Sequence, residues 1–239
     1  MMPTMQPPPE TDPAEAPPIV VPESLAKRAL SATRKDLQLG RRLVHCANGC
    51  AIATAYALIF THQQIVHTFG SIACLVYILD RVRIHYPELL ERAPWINRLL
   101  FRAEEEFKES AMTPYAIAIL LTLLTFPKTL ALIAIYTLAI ADPASAVVGI
   151  SWGRHKLLPE RSLEGTLAFF VATLAIAIVV LSGATGASMW TVVPMALTIA
   201  LAAGAFDLVP LRIDDNMTIP LFVAFSTWII ADLFGVPLA

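Results

Sequence analysis

Of the 239 residues, 56% are hydrophobic and only 15% are charged, with a mean hydropathy of +0.65. A water-soluble domain carries about 25% charged residues, so this composition points to lipid as the solvent. The net charge of −2 gives a nucleic-acid partner no electrostatic support.

The first 24 residues differ from the rest. Met1 to Ser24 holds eight prolines and the acids Glu10, Asp12, Glu15 and Glu23. It lacks a basic leader segment, and Ile19-Val20-Val21 is too short for the apolar core of a signal peptide. The segment reads as a disordered Pro-rich tail.

Apolar runs then predict seven membrane spans near 43–61, 64–80, 112–127, 129–149, 166–183, 190–207 and 218–236. Only Phe126-Pro127-Lys128 separates the third from the fourth, and Pro127 predicts a tight hairpin there. With the N-terminus inside, 16 of the 17 Lys and Arg residues fall on the cytoplasmic side and only Lys128 lies outside. That asymmetry is what the positive-inside rule selects. The expected fold is therefore an all-α polytopic bundle of about seven transmembrane helices, N-in and C-out. Between the second and third spans, Ile96, Leu99, Leu100, Ala103 and Phe107 recur at helical spacing among charges, predicting an interfacial amphipathic helix over 88–110. Cys46, Cys50 and Cys74 match no zinc or redox spacing and read as buried thiols.

Polar residues near membrane spans are costly, and here they gather on one side. The fourth span ends in Asp142-Pro143, followed by small residues and the pair Gly149-x-x-x-Gly153. Pro143 can break the helix there, and the glycines allow close approach of a ligand or of another helix. Arg161-Ser162-Leu163-Glu164-Gly165-Thr166 opens the fifth span. Ser162 or Thr166 can cap that helix, and its free N–H groups with Arg161 can seat a phosphate. Asp214-Asp215-Asn216 precedes the last span, with Asp215 or Asn216 as its expected N-cap. Adjacent carboxylates at a membrane surface suit Mg²⁺, which takes one or two carboxylates together with phosphate oxygens. Carboxylates, cations and small-residue turns on one face are the equipment of phosphoryl transfer.

Five blocks in order carry a resemblance. They are Arg41-Arg42-Leu43-Val44-His45, Arg102-x-x-Glu105 followed by Thr113-x-Tyr115, Ala141-Asp142-Pro143-Ala144-x-Ala146-x-x-Gly149-x-x-x-Gly153, Ser162-Leu163-Glu164-Gly165-Thr166, and Asp214-Asp215-Asn216-x-Thr218-x-Pro220. Together they resemble the dolichol kinase, phytol kinase and CTP-dependent diacylglycerol kinase family, relatives of the phosphatidate cytidylyltransferases. The resemblance makes residues 25–239 a membrane-embedded catalytic domain. It implies transfer of the γ-phosphate of CTP, with Mg²⁺, to a membrane lipid alcohol at the cytoplasmic face. Asp142, Glu164 and Asp215 would be catalytic, with Asp142 and Asp215 on the metal. Arg102, Gly149, Gly153, Arg161, Ser162, Gly165 and Asn216 would bind nucleotide and phosphate. His45, Glu105, Lys156 and Asp214 would belong to the same pocket.

Two positions depart from the family pattern: Arg161 stands where Lys is usual, and Asp207 where Glu is usual. The absence of a Lys-Arg-x-x-x-x-Lys-Asp signature favours a kinase over a cytidylyltransferase that makes a CDP-lipid. A transporter or scaffold is the reading from another class. Against it, the carboxylates sit at one surface rather than at mid-membrane, Asp232 excepted. The chain is short beside eukaryotic dolichol kinases, which points to a bacterial cytoplasmic membrane.

Overall fold

The computed structural model describes residues 39–86, 112–159, 161–211 and 213–238. The Pro-rich tail, the 88–110 amphipathic helix, Arg102 and Glu105 lie outside the described residues. Seven helical segments occupy the seven expected runs: α1 Leu39–Leu58, α2 His62–His85, α3 Met112–Thr125, a compound helix from Lys128 to Ser151, α6 Leu163–Thr185, α7 Met189–Asp207 and α8 Asp215–Leu233. The compound helix comprises α4 Lys128–Tyr136, a π segment Thr137–Ala141 and α5 Asp142–Ser151. Five of these are long and apolar enough to cross a bilayer, and the protein is an all-α integral membrane protein. The expected count of about seven holds for helices, with two that differ in kind. The 14 residues of α3 reach only about 21 Å, short of the ~30 Å hydrocarbon core. Helix α1 is not among the five; it carries Arg41, Arg42, His45 and Asn48 in its first half.

The compound helix is the centre of the bundle. Leu130, Ala131, Ile133, Ala134, Ile135, Leu138, Ala139 and Ala141 are all fully buried, because apolar residues surround this helix on every side. One face joins α6, α7 and α8 in a core with Phe169, Leu181, Met195, Ile199 and Val223. The other joins α1, α2 and α3 through Tyr56, Phe69, Ile119 and Leu123. Helix α6 meets its neighbours along Gly165, Phe169, Thr173, Ala177 and Leu181, a strict every-fourth-residue ridge.

Pro143 does not break the helix as the sequence suggests. Its missing N–H and its ring both conflict with an ordinary α-helical bond to the turn before it. The chain widens into the π segment instead, with the Asp142 N–H donating to the carbonyl of Thr137. The helix then continues to Ser151. The widened turn lies against α1, where a Cβ on Gly49 would stand 2.5 Å from Ala139 Cβ.

The expected hairpin at 126–128 is present and is pinned to α1 and α2. Lys128 Nζ donates to the Ala57 carbonyl at 3.0 Å and lies 5.3 Å from the Tyr56 ring centre. A cation there complements the carbonyl end of α1. Tyr56 in turn shares a 2.7 Å hydrogen bond with His62 Nδ1, just after a Thr61–Gln64 capping box starts α2. The cysteines are not buried as expected. Cys46 and Cys50 on α1 are partly exposed, and Cys74 is exposed because α2 turns that face away from the core it builds with Ile65, Phe69 and Ala73.

Candidate functional site

At the end of the bundle opposite Lys128, the start of α1, the end of α5, the start of α6, the end of α7 and the start of α8 surround a cavity of about 520 Å³. Antiparallel connectivity produces this convergence: the 152–162 and 208–214 connections both turn back at the same end. Helix α1 supplies Arg42 and His45, one turn apart on one face. Helix α5 supplies Asp142, Ser145, Ala146 and Gly149. Ser162, Gly165 and Thr166 come from the start of α6, Asp207 from the last residue of α7, and Asp214, Asp215 and Asn216 from the start of α8.

The 152–162 connection is a tight loop. Lys156 and Ser162 form an isolated bridge, and the Leu163 N–H donates to the His155 carbonyl at 2.8 Å. This brings Lys156 and Arg161 to the cavity wall. Ser162 caps α6, its Oγ accepting from the Gly165 N–H at 3.2 Å. Thr166 is not the cap; its Oγ1 is buried and has no hydrogen-bond partner among the described residues. The cap of α8 is Asp214 rather than Asp215 or Asn216, its Oδ1 accepting from the Asn216 N–H at 2.9 Å. Asp215 is thereby free of capping duty and turns to Arg161.

Arg161 is the electrostatic centre of the site. Its Nη2 donates to Asp215 Oδ2 at 2.7 Å, and its Nη1 lies 3.2 Å from Asp207 Oδ1. A planar guanidinium can serve two carboxylates at once, which a Lys ammonium at this position would do with less directional control. Asp142 from α5 and Asp214 from α8 line the same cavity, so four carboxylates face a shared space with Arg42, Lys156 and Arg161 as counter-charges.

Two of the sequence-derived residues sit elsewhere. Glu164 does not line the cavity; its carboxylate accepts from the His155 backbone N–H at 3.3 Å and pairs with His155 Nδ1 at 2.8 Å, bracing the loop from outside. Gly153 is a packing residue. A Cβ there would overlap the Gly149 carbonyl oxygen and stand 2.6 Å from Ser162 Oγ. Gly165 plays the same part across the crossing, where a Cβ would meet the Ser145 carbonyl oxygen at 2.8 Å. Close packing of the turn after α5 against Gly149 and Ser162 therefore accounts for Gly153, while Gly149 and Gly165 both pack and line the cavity. Of the Thr113-x-Tyr115 block, Thr113 Oγ1 donates to the buried Asp80 at 2.8 Å, and the Tyr115 ring lies 4.7 Å from that of His45. Both hold α3 in place beside the site.

Arg42 and Asp207 are cavity residues that the sequence reading did not select. Arg42 had a usable signal, its i, i+3 relation to His45. Asp207 stood out only as the acid where the family usually has Glu, with no role attached to it.

The donor set bears on Mg²⁺. Among the described residues, no group of three His, Cys, Asp or Glu side chains could hold a metal unaided. Mg²⁺ does not need one, since it keeps waters and takes one or two carboxylates plus substrate phosphate oxygens. Among the described residues, neither buried carboxylate oxygen of Asp207 has an aligned hydrogen-bond donor, Arg161 lying 3.2 Å away, an acceptor surplus that a cation would relieve. The residues present fit that ion.

No protein-family model matches the chain, and no solved structure matches it. Over 204 residues it is 29% identical to an uncharacterised protein of Rickettsia prowazekii, covering 81% of this chain and 95% of that one. It is 34% identical over 101 residues to a phytol kinase of Synechocystis, and 29% identical over 98 residues to a CTP-dependent diacylglycerol kinase of Eremothecium gossypii. These matches cover 41% and 40% of this chain, and the chain spans only 43% and 31% of the two kinases. The chain is thus similar, over part of its length, to two enzymes named as lipid kinases.

Proposed function

We propose that this protein is a CTP-dependent kinase of a membrane lipid alcohol, working at the cytoplasmic face. The observation that carries the reading is the cavity itself: four carboxylates share space with Arg161, Lys156 and a capped helix start, at one end of an apolar bundle. Partial similarity to two lipid kinases supports it. In the reaction the lipid hydroxyl oxygen bonds to the γ-phosphorus, the bond from that phosphorus to the β-phosphate oxygen breaks, CDP leaves and the hydroxyl proton is released. Catalysis of this kind is positioning and charge stabilisation. Arg161 and Lys156 bind phosphate oxygens, and the positive end of the α6 dipole, beside Ser162, Gly165 and Thr166, favours their charge. Asn216 contributes an amide to nucleotide binding. Mg²⁺, held by Asp142 and Asp215, would neutralise charge on the phosphates when bound. The apolar helices keep the acceptor's chain in lipid while its hydroxyl reaches the polar end.

The products decide the reading. CTP labelled at the γ-phosphate, given to purified protein with a panel of polyprenol, phytol and diacylglycerol acceptors, is expected to leave label in a lipid monophosphate. Phosphatidate-dependent release of pyrophosphate would mean attack at the α-phosphorus and a cytidylyltransferase instead.

The cytoplasmic placement has its own test. In a background lacking Cys46, Cys50 and Cys74, a cysteine at Thr185 should react with a membrane-impermeant reagent in intact cells, and one at Arg154 should not. Labelling at position 154 from outside would reverse the orientation.

A further inference from the structure

Asp207 closes α7 with its side chain only 1% exposed. A carboxylate in such a place normally gathers hydrogen-bond donors, yet neither of its oxygens has one among the described residues. Its charge is met by Arg161, whose Nη1 lies 3.2 Å away without hydrogen-bond alignment. The aligned bond of that guanidinium goes to Asp215 at 2.7 Å. One cation is thus shared by two carboxylates, well placed for one and poorly for the other, and a third carboxylate, Asp142, faces the same cavity. Arg161 is itself partly exposed, at the end of a loop. Its long side chain can leave without disturbing a helix.

We infer that Arg161 is a resident counter-ion which a divalent cation displaces: Asp207 and Asp215 receive the cation, and the released guanidinium turns to the nucleotide phosphates. A divalent ion neutralises both carboxylates, and Asp207 gains the ligand that it lacks. The arrangement couples the two ligands. Cation alone must expel a tethered arginine, and nucleotide alone meets carboxylates and an arginine already engaged. Together, each frees what the other needs, so each should tighten the other by about 10-fold or more. Asp207 thereby becomes a ligand of the site beside the Asp142 and Asp215 pair. The nucleotide half of the inference rests on the kinase reading; the cation half does not.

Mn²⁺ binding to the full-length protein in micelles, followed by its paramagnetic resonance signal with and without CTP, tests both halves. Arg161→Gln is expected to bind Mn²⁺ alone about 10-fold more tightly than the unmodified protein, and to lose the tightening by CTP. Asp207→Asn should bind Mn²⁺ at least about 10-fold more weakly in either condition. If Asp207→Asn melts too early to assay, Asp215→Asn, at a half-exposed position, replaces it with the same expectation. Mn²⁺ affinity unchanged in Arg161→Gln, or unchanged in the assayed aspartate variant, overturns the exchange. Mn²⁺ behaviour as expected in a protein that transfers no γ-phosphate keeps the exchange and removes the kinase reading. Transfer with an unaltered Mn²⁺ response in Arg161→Gln does the reverse.

Discussion

Replacing Asp142 with Asn, or Asp215 with Asn, is expected to lower phosphoryl transfer by about 10²-fold or more while leaving the protein folded. Each change removes a charge and keeps the side chain's size. Neither carboxylate holds a helix together. The hydroxyl of Ser145 donates to the backbone carbonyl of Asp142 rather than to its side chain, and the α8 cap belongs to Asp214. What would be lost is an anionic ligand of the Mg²⁺ that neutralises the phosphates, and interactions with charge that develops in the transition state are among the largest single contributions to catalysis. Asp232→Asn is the control: it lies on the exposed surface of α8, 17 residues beyond Asp215, or about 26 Å along the axis. Its turnover should match the unmodified protein. Near-normal turnover in both cavity variants, at unchanged thermal stability, would remove these carboxylates from the chemistry.

Gly153→Ala and Gly165→Ala should each destabilise the protein by about 1–3 kcal/mol, in thermal melts of the purified protein in detergent. At both positions the added methyl meets backbone, not the flexible end of a side chain: the Gly149 carbonyl oxygen in one case, the Ser145 carbonyl oxygen and Gly149 Cα in the other. Relief requires the α5–α6 crossing to open for Gly165→Ala and the turn after α5 to shift for Gly153→Ala; either displaces Ser162 at the cavity and should reduce turnover in step with stability. Gly183, within α6, has nothing within 4 Å of an added Cβ. Alanine there should be neutral, or stabilising by up to about 1 kcal/mol, since Gly is a poor helix former. A Gly153→Ala protein that melts with the unmodified one would show that the crossing does not depend on these glycines.

Several features were legible in residue order because their causes are local. Uninterrupted apolar runs set the helices, since a bilayer accepts little else. Pro127 set the hairpin, and Ser162 ahead of an apolar run marked a cap that the structure contains. Local reasoning also misplaced things. Asp214, Asp215 and Asn216 are equally good N-caps by type, and only the backbone turn before α8 selects Asp214. Pro143 offered a helix break, but the stretch just before it, from Leu130 to Ala141, is buried almost throughout and loses its packing if the helix breaks. A widened π turn costs less than that.

The sequence by itself determined the membrane class, the helical segments and the gathering of charge at the loops of one end, because hydropathy and chain alternation depend on residue order alone. Tertiary structure decided which charges meet. Arg161 reaches Asp215 across 54 residues, and Asp207 joins them only because α7 ends with that face turned inward. Glu164 shows the opposite outcome, next in the chain to cavity residues yet turned toward His155. Neighbouring positions on a helix point about 100° apart, so the rotation of each helix against its partners, set by packing along ridges such as Gly165–Phe169–Thr173, sorts cavity residues from bracing ones.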